Sequence, residues 1–466
     1  MRDESSQKGH AVTTTASGIT HELLDKHRSA GGMFWAAVVL FGLLFLLGVL
    51  GFILRLQDGV SSKALWGYHA AVFAFILTTA QAAPMVAIAP RMTKAHWHRP
   101  ISRSAELFTL VGLLNLLLFI PLLWVLPGLN DGRRSLWFFG QGDVPSHSPH
   151  IWATLALVSL VVCGVALLWV SSLPDLAAIR DSSTGRRRRV FGHLAFGWHG
   201  TSRQWNMLYH RLGILGAFYF MMLIFVHFLI SVDFAMALVP GWVDALFPAT
   251  HAFNSLQAGT ATVLLTMFFL RQFGGYKEYI GLDQFWGLGK LLFAMSLLWF
   301  WFWFSSFNIL WYGKKPNELA VLELMMFGPY QAAFIASFVL NFLVPFFTMI
   351  WNPIRKSIWG PTLIATGVLF GTFFDRIRLY VAAYSVPGIG DPLVDKHELH
   401  SIPARISPGL PDVLIWIGAI SGSVLIYLLA TRVIPPVNIW EQKELLLYKV
   451  HKQFHRTEVL VLGKPD

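Results

Sequence analysis

The feature that most constrains the fold is a series of long apolar stretches that fills most of the chain. Of 466 residues, 55% are hydrophobic and only 13% are charged, whereas soluble proteins carry about 25% charged residues. Each stretch is long enough to cross a hydrocarbon core of about 30 Å as a helix, and none alternates like a membrane β-barrel strand. The stretches lie near residues 33–54, 65–89, 105–127, 150–173, 210–232, 252–270, 286–311, 326–350, 358–384 and 411–431. The sequence therefore predicts an all-α polytopic membrane protein with about ten transmembrane helices.

Polar segments flank this predicted transmembrane domain of residues 33–431. Residues 1–32 are predicted to be a cytoplasmic tail, mostly disordered, with a short helix around 21–28. Residues 432–466 form a predicted cytoplasmic tail in which apolar and basic groups alternate over 438–460, which favours an interfacial helix or a docking segment. The proline- and glycine-rich loop near 385–410 is expected to be irregular.

The distribution of Lys and Arg predicts the orientation of the chain. Both termini and the connections 90–104, 174–209, 271–285 and 351–357 together carry 24 of the 36 Lys and Arg residues, and the opposite connections carry eight. The positive-inside rule then gives a multi-pass protein with both termini in the cytoplasm, and we name the two sides the predicted cytoplasmic face and the predicted outer face. The run Arg186–Arg189 fits contact with anionic lipid headgroups of the bilayer better than contact with nucleic acid.

The composition argues against several kinds of redox and metal centre. Cys163 is the single cysteine, which excludes a disulfide framework and a cysteine-ligated iron–sulfur cluster on this chain. A bis-histidine haem would have to use His69 and His227, the two histidines predicted inside the membrane, so no haem is expected. No close spacing of metal-ligating residues indicates a metal site.

Ionisable side chains gather near the predicted outer face. Such groups at membrane depth cost several kcal/mol unless they are paired, so a functional role is their default interpretation. His69 and His227 are expected roughly 6 Å below the outer surface, Asp233 at its boundary, and Asp375, Arg376 and Arg378 roughly 9–14 Å down. Asp244 and His251 are placed in the connection above them. Glu106, Asp175 and Lys290 are predicted in the cytoplasmic half or edge, where they could belong to a proton path.

Each of these residues also has a purely structural interpretation. His69 could be a hydrogen-bonded core histidine. Asp375 and Arg376 are adjacent, so we expect each to find its partner elsewhere, although a buried pair remains an alternative. The aromatic run at 299–304 favours packing over stacking on a quinone ring.

Six sequence motifs resemble those of one known family. They are ISRSAELFTL (101–110), LPDLAAIRD (173–181), LAFGWHGTSRQW (194–205), HFLISVDFAMALVPGW (227–242), WYGKKPNE (311–318) and DRIRLYV (375–381). In this order, over roughly residues 60–445, they resemble the NrfD/PsrC-like membrane subunits of polysulfide reductase and alternative complex III, and most closely those of alternative complex III.

The resemblance implies a fold, a location and partners. The fold would be two four-helix bundles, over about 65–232 and 252–384, flanked by the first and last helices. The location would be the bacterial cytoplasmic (inner) membrane. The partners would be iron–sulfur and multihaem cytochrome c subunits, a second homologous NrfD-like subunit and small membrane subunits. The cofactor would be a quinol, with menaquinol favoured, whose headgroup binds near the outer face.

The resemblance also assigns roles to single residues. His227 and Asp233 match the family's histidine and aspartate in the fifth helix, Asp375 and Arg376 match its acidic–arginine pair in the ninth, and His69 occupies a polar position in the second. Two positions depart from the quinol-binding members, since Trp124 stands where they carry a histidine and Ser306 where they carry a glutamate. These departures weaken a quinol site and raise the prospect that the chain is the homologous subunit suspected of guiding protons.

The sequence thus predicts a non-autonomous subunit of a quinol:electron-acceptor oxidoreductase in a respiratory or photosynthetic electron transport chain. Its role would be quinol oxidation near the outer face, proton translocation, or both. Two alternatives stay open. An independent secondary transporter would be expected to have broken helices at mid-membrane, whereas the predicted spans are mostly unbroken. A purely structural anchor would use the polar groups only for its own hydrogen bonds.

Overall fold

A computed structural model describes residues 15–131, 133–137, 145, 147–388, 398–454 and 457–462. The predicted disorder of residues 1–14 and the tip of the predicted irregular loop, 389–397, lie outside the described residues. In the remainder of that loop, residues 400–409 run without a helix before the last long helix begins at Leu410.

The described chain is built almost entirely of helices, with one hairpin at its C-terminal end. The helices are α1 (Ala16–Arg28), α2 (Gly32–Gln57), α3 (Gly67–Thr79), α4 (Met85–Met92), α5 (Arg99–Val125), α6 (His150–Asp181), α7 (Gly185–Leu194), α8 (Ser202–Asp233), α9 (Phe247–Gln272), α10 (Leu282–Gly313), α11 (Pro316–Leu322), α12 (Gln331–Met349), α13 (Asn352–Arg355), α14 (Trp359–Arg376), α15 (Ala382–Ser385), α16 (Leu410–Val433) and α17 (Ile439–Tyr448). Strands β1 (Lys449–Phe454) and β2 (Thr457–Leu462) pair antiparallel.

Eight helices of the described chain are long and apolar enough to span a membrane. They are α2, α5, α6, α8 with the turn that follows it, α9, α10, α12 and α16. Many of their large apolar side chains are exposed, as expected for surfaces that contact lipid hydrocarbon. The prediction of an all-α polytopic membrane protein is confirmed.

The second and ninth predicted spans are helical but interrupted. In the second, α3 ends at Thr79 and α4 begins at Met85, with turns over 80–84 between them. Proline has no N–H to donate to the preceding turn, so Pro84 cannot continue the hydrogen-bond ladder of α3. The expectation of mostly unbroken spans is therefore wrong at this point. The ninth span runs through α14, a π-helical turn at Ile377–Val381, and α15, and it carries Asp375, Arg376 and Arg378.

The long helices form two groups of four, with α2 and α16 beside them. The broken span α3–α4 packs with α5, α6 and α8 in the first group, and α9, α10, α12 and α14 form the second. Helix α3 also contacts α9 and α14, so the broken span lies where the two groups meet. Helices α2 and α16 approach so closely that a Cβ on Gly48 would lie 2.3 Å from the Cα of Gly418.

Both ends of the chain fold at the predicted cytoplasmic face. The predicted N-terminal helix is present as α1, which packs on α16 and α17 through the buried Ile19, Leu23 and Leu24. A helix is also present in the C-terminal tail, but it stops at Tyr448 and a hairpin follows. The run Val459–Leu462 is a short apolar stretch with two β-branched valines, and this composition favours a strand over a helix.

Candidate functional site

Five charged side chains, four of them buried and Arg91 partly buried, lie together near the predicted cytoplasmic face, and we call them the inner cluster: Arg91, Arg103, Glu106, Asp175 and Glu441. Arg91 Nη2 lies 2.9 Å from both Glu106 Oε1 and Glu441 Oε1. Arg103 lies 3.4 Å from Glu106 Oε2 through Nε and 3.2 Å from Asp175 Oδ2 through Nη2. Each charge in the cluster therefore has at least one opposite charge in contact, as buried ions require.

The C-terminal helix closes the inner cluster. The backbone N–H of Trp440 donates to Asp175 Oδ1 at 3.1 Å, and its indole N–H donates to the carbonyl of Ser171 at 3.0 Å. The amide of Asn438 donates to Glu441 Oε2 and to Ser102 Oγ, both at 2.7 Å. Burial alone would raise the pKa of Glu441, but the charge of Arg91 and the hydrogen bonds to this carboxylate lower its pKa to about 2.

A second buried group, which we call the outer cluster, lies toward the predicted outer face: His227, His251, Tyr380, Asn254, Asp375, Arg376 and Arg378. Its histidines come from α8 and α9, and their Nδ1 atoms are 2.8 Å apart. The Tyr380 hydroxyl lies 3.1 Å from His251 Nε2. One arrangement satisfies all three groups: Tyr380 donates to His251 Nε2, and His251 Nδ1–H donates to His227 Nδ1.

The charged part of the outer cluster is built around Asp375. Arg376 Nη2 lies 2.6 Å from Asp375 Oδ2, and Arg378 Nη2 lies 2.7 Å from Asp375 Oδ1. The same Arg376 nitrogen donates to Asn254 Oδ1 at 2.6 Å. Each residue has the partner elsewhere that was expected, Arg378 for Asp375 and Asn254 for Arg376, and the two also pair with each other, as in the alternative of a buried pair. The long arginine side chain reaches back to its neighbour where the helix passes into the π-helical turn.

A ring of amides and hydroxyls extends the outer cluster toward the membrane centre. Asn254 Nδ2 donates to Gln257 Oε1 at 3.2 Å, and Gln257 Nε2 donates to Ser296 Oγ and to the carbonyl of Asn341, both at 2.8 Å. Asn341 then donates to Ser337, whose hydroxyl donates to Asp375 Oδ1, both at 3.3 Å. Four helices of the second group thus share one closed polar network.

The first group of helices contains a smaller polar pair at the break between α3 and α4. Asn115 Nδ2 donates to Gln81 Oε1 at 2.6 Å, and the Tyr219 hydroxyl donates to the backbone carbonyl of Gln81 at 2.5 Å. All three residues are buried. Here the interrupted backbone is covered by protein, which is the condition for irregular structure at membrane depth.

A small cavity of about 40 Å³ adjoins the outer cluster. Its lining includes Asp244, His251, Ser306, Asp375, Arg376 and Arg378. Ser306 donates to Asp244 Oδ2, and Asp244 Oδ1 accepts from the backbone N–H of Leu246 at 2.8 Å. Burial raises the pKa of Asp244. The volume suits water, whereas sites for drug-sized organic ligands measure roughly 300–1,000 Å³, so a quinol ring does not fit this cavity.

Three residues predicted for the site make their contacts outside the outer cluster. His69 is buried, and its Nε2 lies 2.7 Å from the carbonyl of Leu118, as in the core-histidine alternative. The Asp233 carboxylate accepts from the indoles of Trp137 and Trp152, both at 2.9 Å. Lys290 is exposed, with its ammonium 4.0 Å from the centre of the Trp286 ring.

Other residues of the two clusters were missed or misplaced by sequence reasoning. His251 was placed in a connection because the sixth span was predicted to begin at 252, but α9 begins at Phe247. Pro248 at the first turn of this helix was a usable signal for the earlier start. Arg91 and Arg103 were counted as surface charges of the cytoplasmic face, and Glu441 as part of a tail. Their pairing depends on contacts between distant segments that no local pattern reports.

Neither the protein-family models nor the curated proteins compared with this chain match it.

Proposed function

We propose that this chain is a membrane subunit of an alternative-complex-III-like quinol:electron-acceptor oxidoreductase, and that its own task is to conduct protons between the two faces. The six motifs support the family. The observation that carries the proton role is a discontinuous line of buried polar groups, which we call the polar route. It leads from the inner cluster past Gln81 and Asn115 to the outer cluster.

The first part of the polar route follows α5. Glu106, Thr109 and Asn115 lie along this helix, over about 14 Å at 1.5 Å per residue, and all three are buried. Ser171 also donates to Glu106 Oε2, so the carboxylate connects the inner cluster to the start of α5.

The route changes from the first to the second group of helices at the break in the second span. A Cβ on Gly259 of α9 would lie 2.8 Å from the carbonyl oxygen of Ala82, so the two backbones touch here. Gln257 is two residues from this contact on the same helix, and Gln81 precedes Ala82. The break that carries Gln81 therefore lies against α9, the helix that also carries Gln257.

Several atoms along the route need partners that the described residues do not provide. Thr109 Oγ1, Asn115 Oδ1, Asn341 Oδ1, Thr372 Oγ1 and His227 Nε2 are buried and have no hydrogen-bond partner among the described residues. Buried polar atoms are usually satisfied, and ordered water is the usual partner when protein supplies none. Water at these atoms would link the polar groups into a proton-conducting chain.

The histidine pair supplies a proton transfer of defined direction. When Tyr380 donates to His251 and His251 donates to His227, one concerted shift moves a proton from Tyr380 to His251 Nε2 and another from His251 Nδ1 to His227 Nδ1. In the same concerted step His227 Nε2–H releases a proton and Tyr380 takes one from a water on the network side, so that neither a phenolate nor an imidazolium remains in the buried site. The balance is one proton in and one proton out.

A transporter is the second candidate, and the break at residues 80–84 is the observation that favours it. Transporters place substrate sites at such interruptions near the membrane centre. Here the break is occupied by the hydrogen bonds among Gln81, Asn115 and Tyr219.

Native purification followed by reconstitution into liposomes tests the proposal. The chain should copurify with haem-containing and iron–sulfur subunits, and quinol oxidation should release protons that a pH-sensitive dye detects. His251→Phe and Gln257→Leu should each slow coupled proton release by at least about tenfold while the complex stays assembled. The matched control is Gln272→Leu, an exposed glutamine on the same helix.

Each negative result of this experiment contradicts a different part of the proposal. A chain that purifies without redox partners contradicts the family assignment and favours the transporter. Full proton release in both variants contradicts the polar route. Loss of assembly in both, with normal release by whatever complex remains, favours the structural anchor.

A further inference from the structure

An apolar groove of about 680 Å³ lies on the lipid-facing side of the protein, away from the polar route. Its walls are α12, α14 and α16, and residues 405–408 cross its mouth at the predicted outer face. The groove exists because α12 presents alanines there, Ala332, Ala333 and Ala336, opposite the aromatic rings of Phe373 and Trp416. These two rings pack edge to face with their centres 4.2 Å apart and form the base of the groove.

The depth of the groove corresponds to one leaflet of a bilayer. Helix α16 starts at Leu410, beside the mouth, and the deepest lining residue on this helix is Ile420. Ten residues of helix measure about 15 Å, which is half of a hydrocarbon core of about 30 Å. An extended hydrocarbon chain that enters at the surface would end near the membrane centre.

The polar groups at the mouth of the groove favour the binding of an anion. Tyr68 donates to the carbonyl of Ile406 at 2.9 Å, and the Tyr330 hydroxyl accepts from the backbone N–H of Ile406 at 3.3 Å. These hydroxyls therefore hold residues 405–408 in place. Arg405 lines the mouth, is exposed, and makes no ion pair with any described residue. Its guanidinium remains free to bind a phosphate.

We propose that this groove is a binding site for a glycerophospholipid of the leaflet at the predicted outer face, with one acyl chain between α12 and α16 and its phosphate on Arg405. A quinol suits the site less well, because the described polar lining offers a cationic donor and no carboxylate or imidazole to accept a proton. The proposal is independent of the proton-conducting role.

The test is native mass spectrometry of the full chain purified in mild detergent. The wild-type protein should retain a phospholipid, and after delipidation it should rebind phosphatidylglycerol. Ala336→Trp should fill the groove and abolish both. Ile335→Trp, on the same helix but outside the groove and 52% exposed, should bind as the wild type does.

A charge variant tests the headgroup contact. Arg405→Gln should weaken phosphatidylglycerol binding about fivefold, since a basic residue at an anionic headgroup contributes about that factor. The control Lys314→Gln removes an exposed cation at the same face that does not line the groove, and it should have no effect.

Two results would overturn the proposal. One is retention of equal amounts of phospholipid by the wild type and by Ala336→Trp. The other is the release, by solvent extraction, of a quinone from the wild type but not from Ala336→Trp, which would assign the groove to an isoprenoid chain.

Discussion

The inner and outer clusters are both buried groups of ionisable residues, yet they are organised differently. The inner cluster consists of five charges in mutual contact, and its last member comes from a helix that folds over it after the membrane spans. The outer cluster has three charges, and the rest of its members are imidazole, phenol and amide groups joined to a network of neutral amides and hydroxyls.

This difference indicates which property of the protein each cluster controls. Paired buried ions are held in one geometry, because separating them would leave an uncompensated buried charge. Hydrogen-bonded imidazole and hydroxyl groups can pass protons without leaving such a charge when proton uptake at one end accompanies release at the other. We therefore expect the inner cluster to govern stability and the closure of the C-terminal helix, and the outer cluster to govern proton transfer.

The largest effect on stability is expected from Arg91→Met. This change removes the cation that contacts both Glu106 and Glu441, and breaking a buried ion pair costs about 3–5 kcal/mol. The apparent melting temperature in detergent should fall, and proteases should cut the chain near α17. Lys315→Met is the control, because its side chain is 68% exposed beside Glu318 and the loss should stay near or below about 1 kcal/mol. Equal effects of the two changes would contradict a special role for the inner cluster.

A pH dependence of stability should come from His98, which lies beside the inner cluster. Burial, followed by the charge of Arg91, lowers its pKa from 6.5 to about 4, although the charge of Glu441 acts in the opposite direction. The unfolded chain therefore binds more protons between pH 6.5 and 4, and the stability present above pH 6.5 should fall by about 3 kcal/mol as the pH drops to 4. Thermal unfolding at several pH values measures this. His98→Gln should flatten the profile, whereas the exposed His199→Gln should leave it unchanged.

Asp233→Asn tests whether Asp233, which lies outside the outer cluster, takes part in proton conduction. The Asp233 carboxylate accepts from two indole N–H groups, and an asparagine can accept only one of them through its oxygen while its own N–H faces the other. The unfolding free energy should fall by about 1–3 kcal/mol, with coupled proton release unchanged. A strong loss of proton release without loss of stability would show that Asp233 itself conducts protons, which is the role that the resemblance of its motif implies.

The smallest effect is expected from Lys290→Gln. Lys290 is exposed, and its ammonium contacts the ring of Trp286, a contact that contributes about 0.5–1 kcal/mol at such sites. Proton release and its pH dependence should match the wild type. A clear decrease in proton release would show that protons enter at this lysine and not at Glu106.

Much of the fold could be predicted because the bilayer imposes a local rule. A helix must satisfy its own backbone and present apolar side chains over its whole length, so apolar run length alone located eight helices. The same rule pointed to Asp375, Arg376 and His227, since an ionisable residue inside an apolar run stands out. It could not find Gln81 or Asn254, because single neutral amides in apolar runs are not distinctive.

The sequence by itself determined the helical membrane architecture, the separation of polar ends from apolar spans, and that His227, Asp375 and Arg376 fall within apolar stretches. Only the tertiary structure decided their partners: that His227 pairs with His251 and not with Asp233, and that Glu441 closes a cluster with Arg91. The physical reason is the range of the forces. Hydrophobic length and backbone satisfaction act within one segment, whereas hydrogen bonds and ion pairs form between segments that come together only when the helices pack.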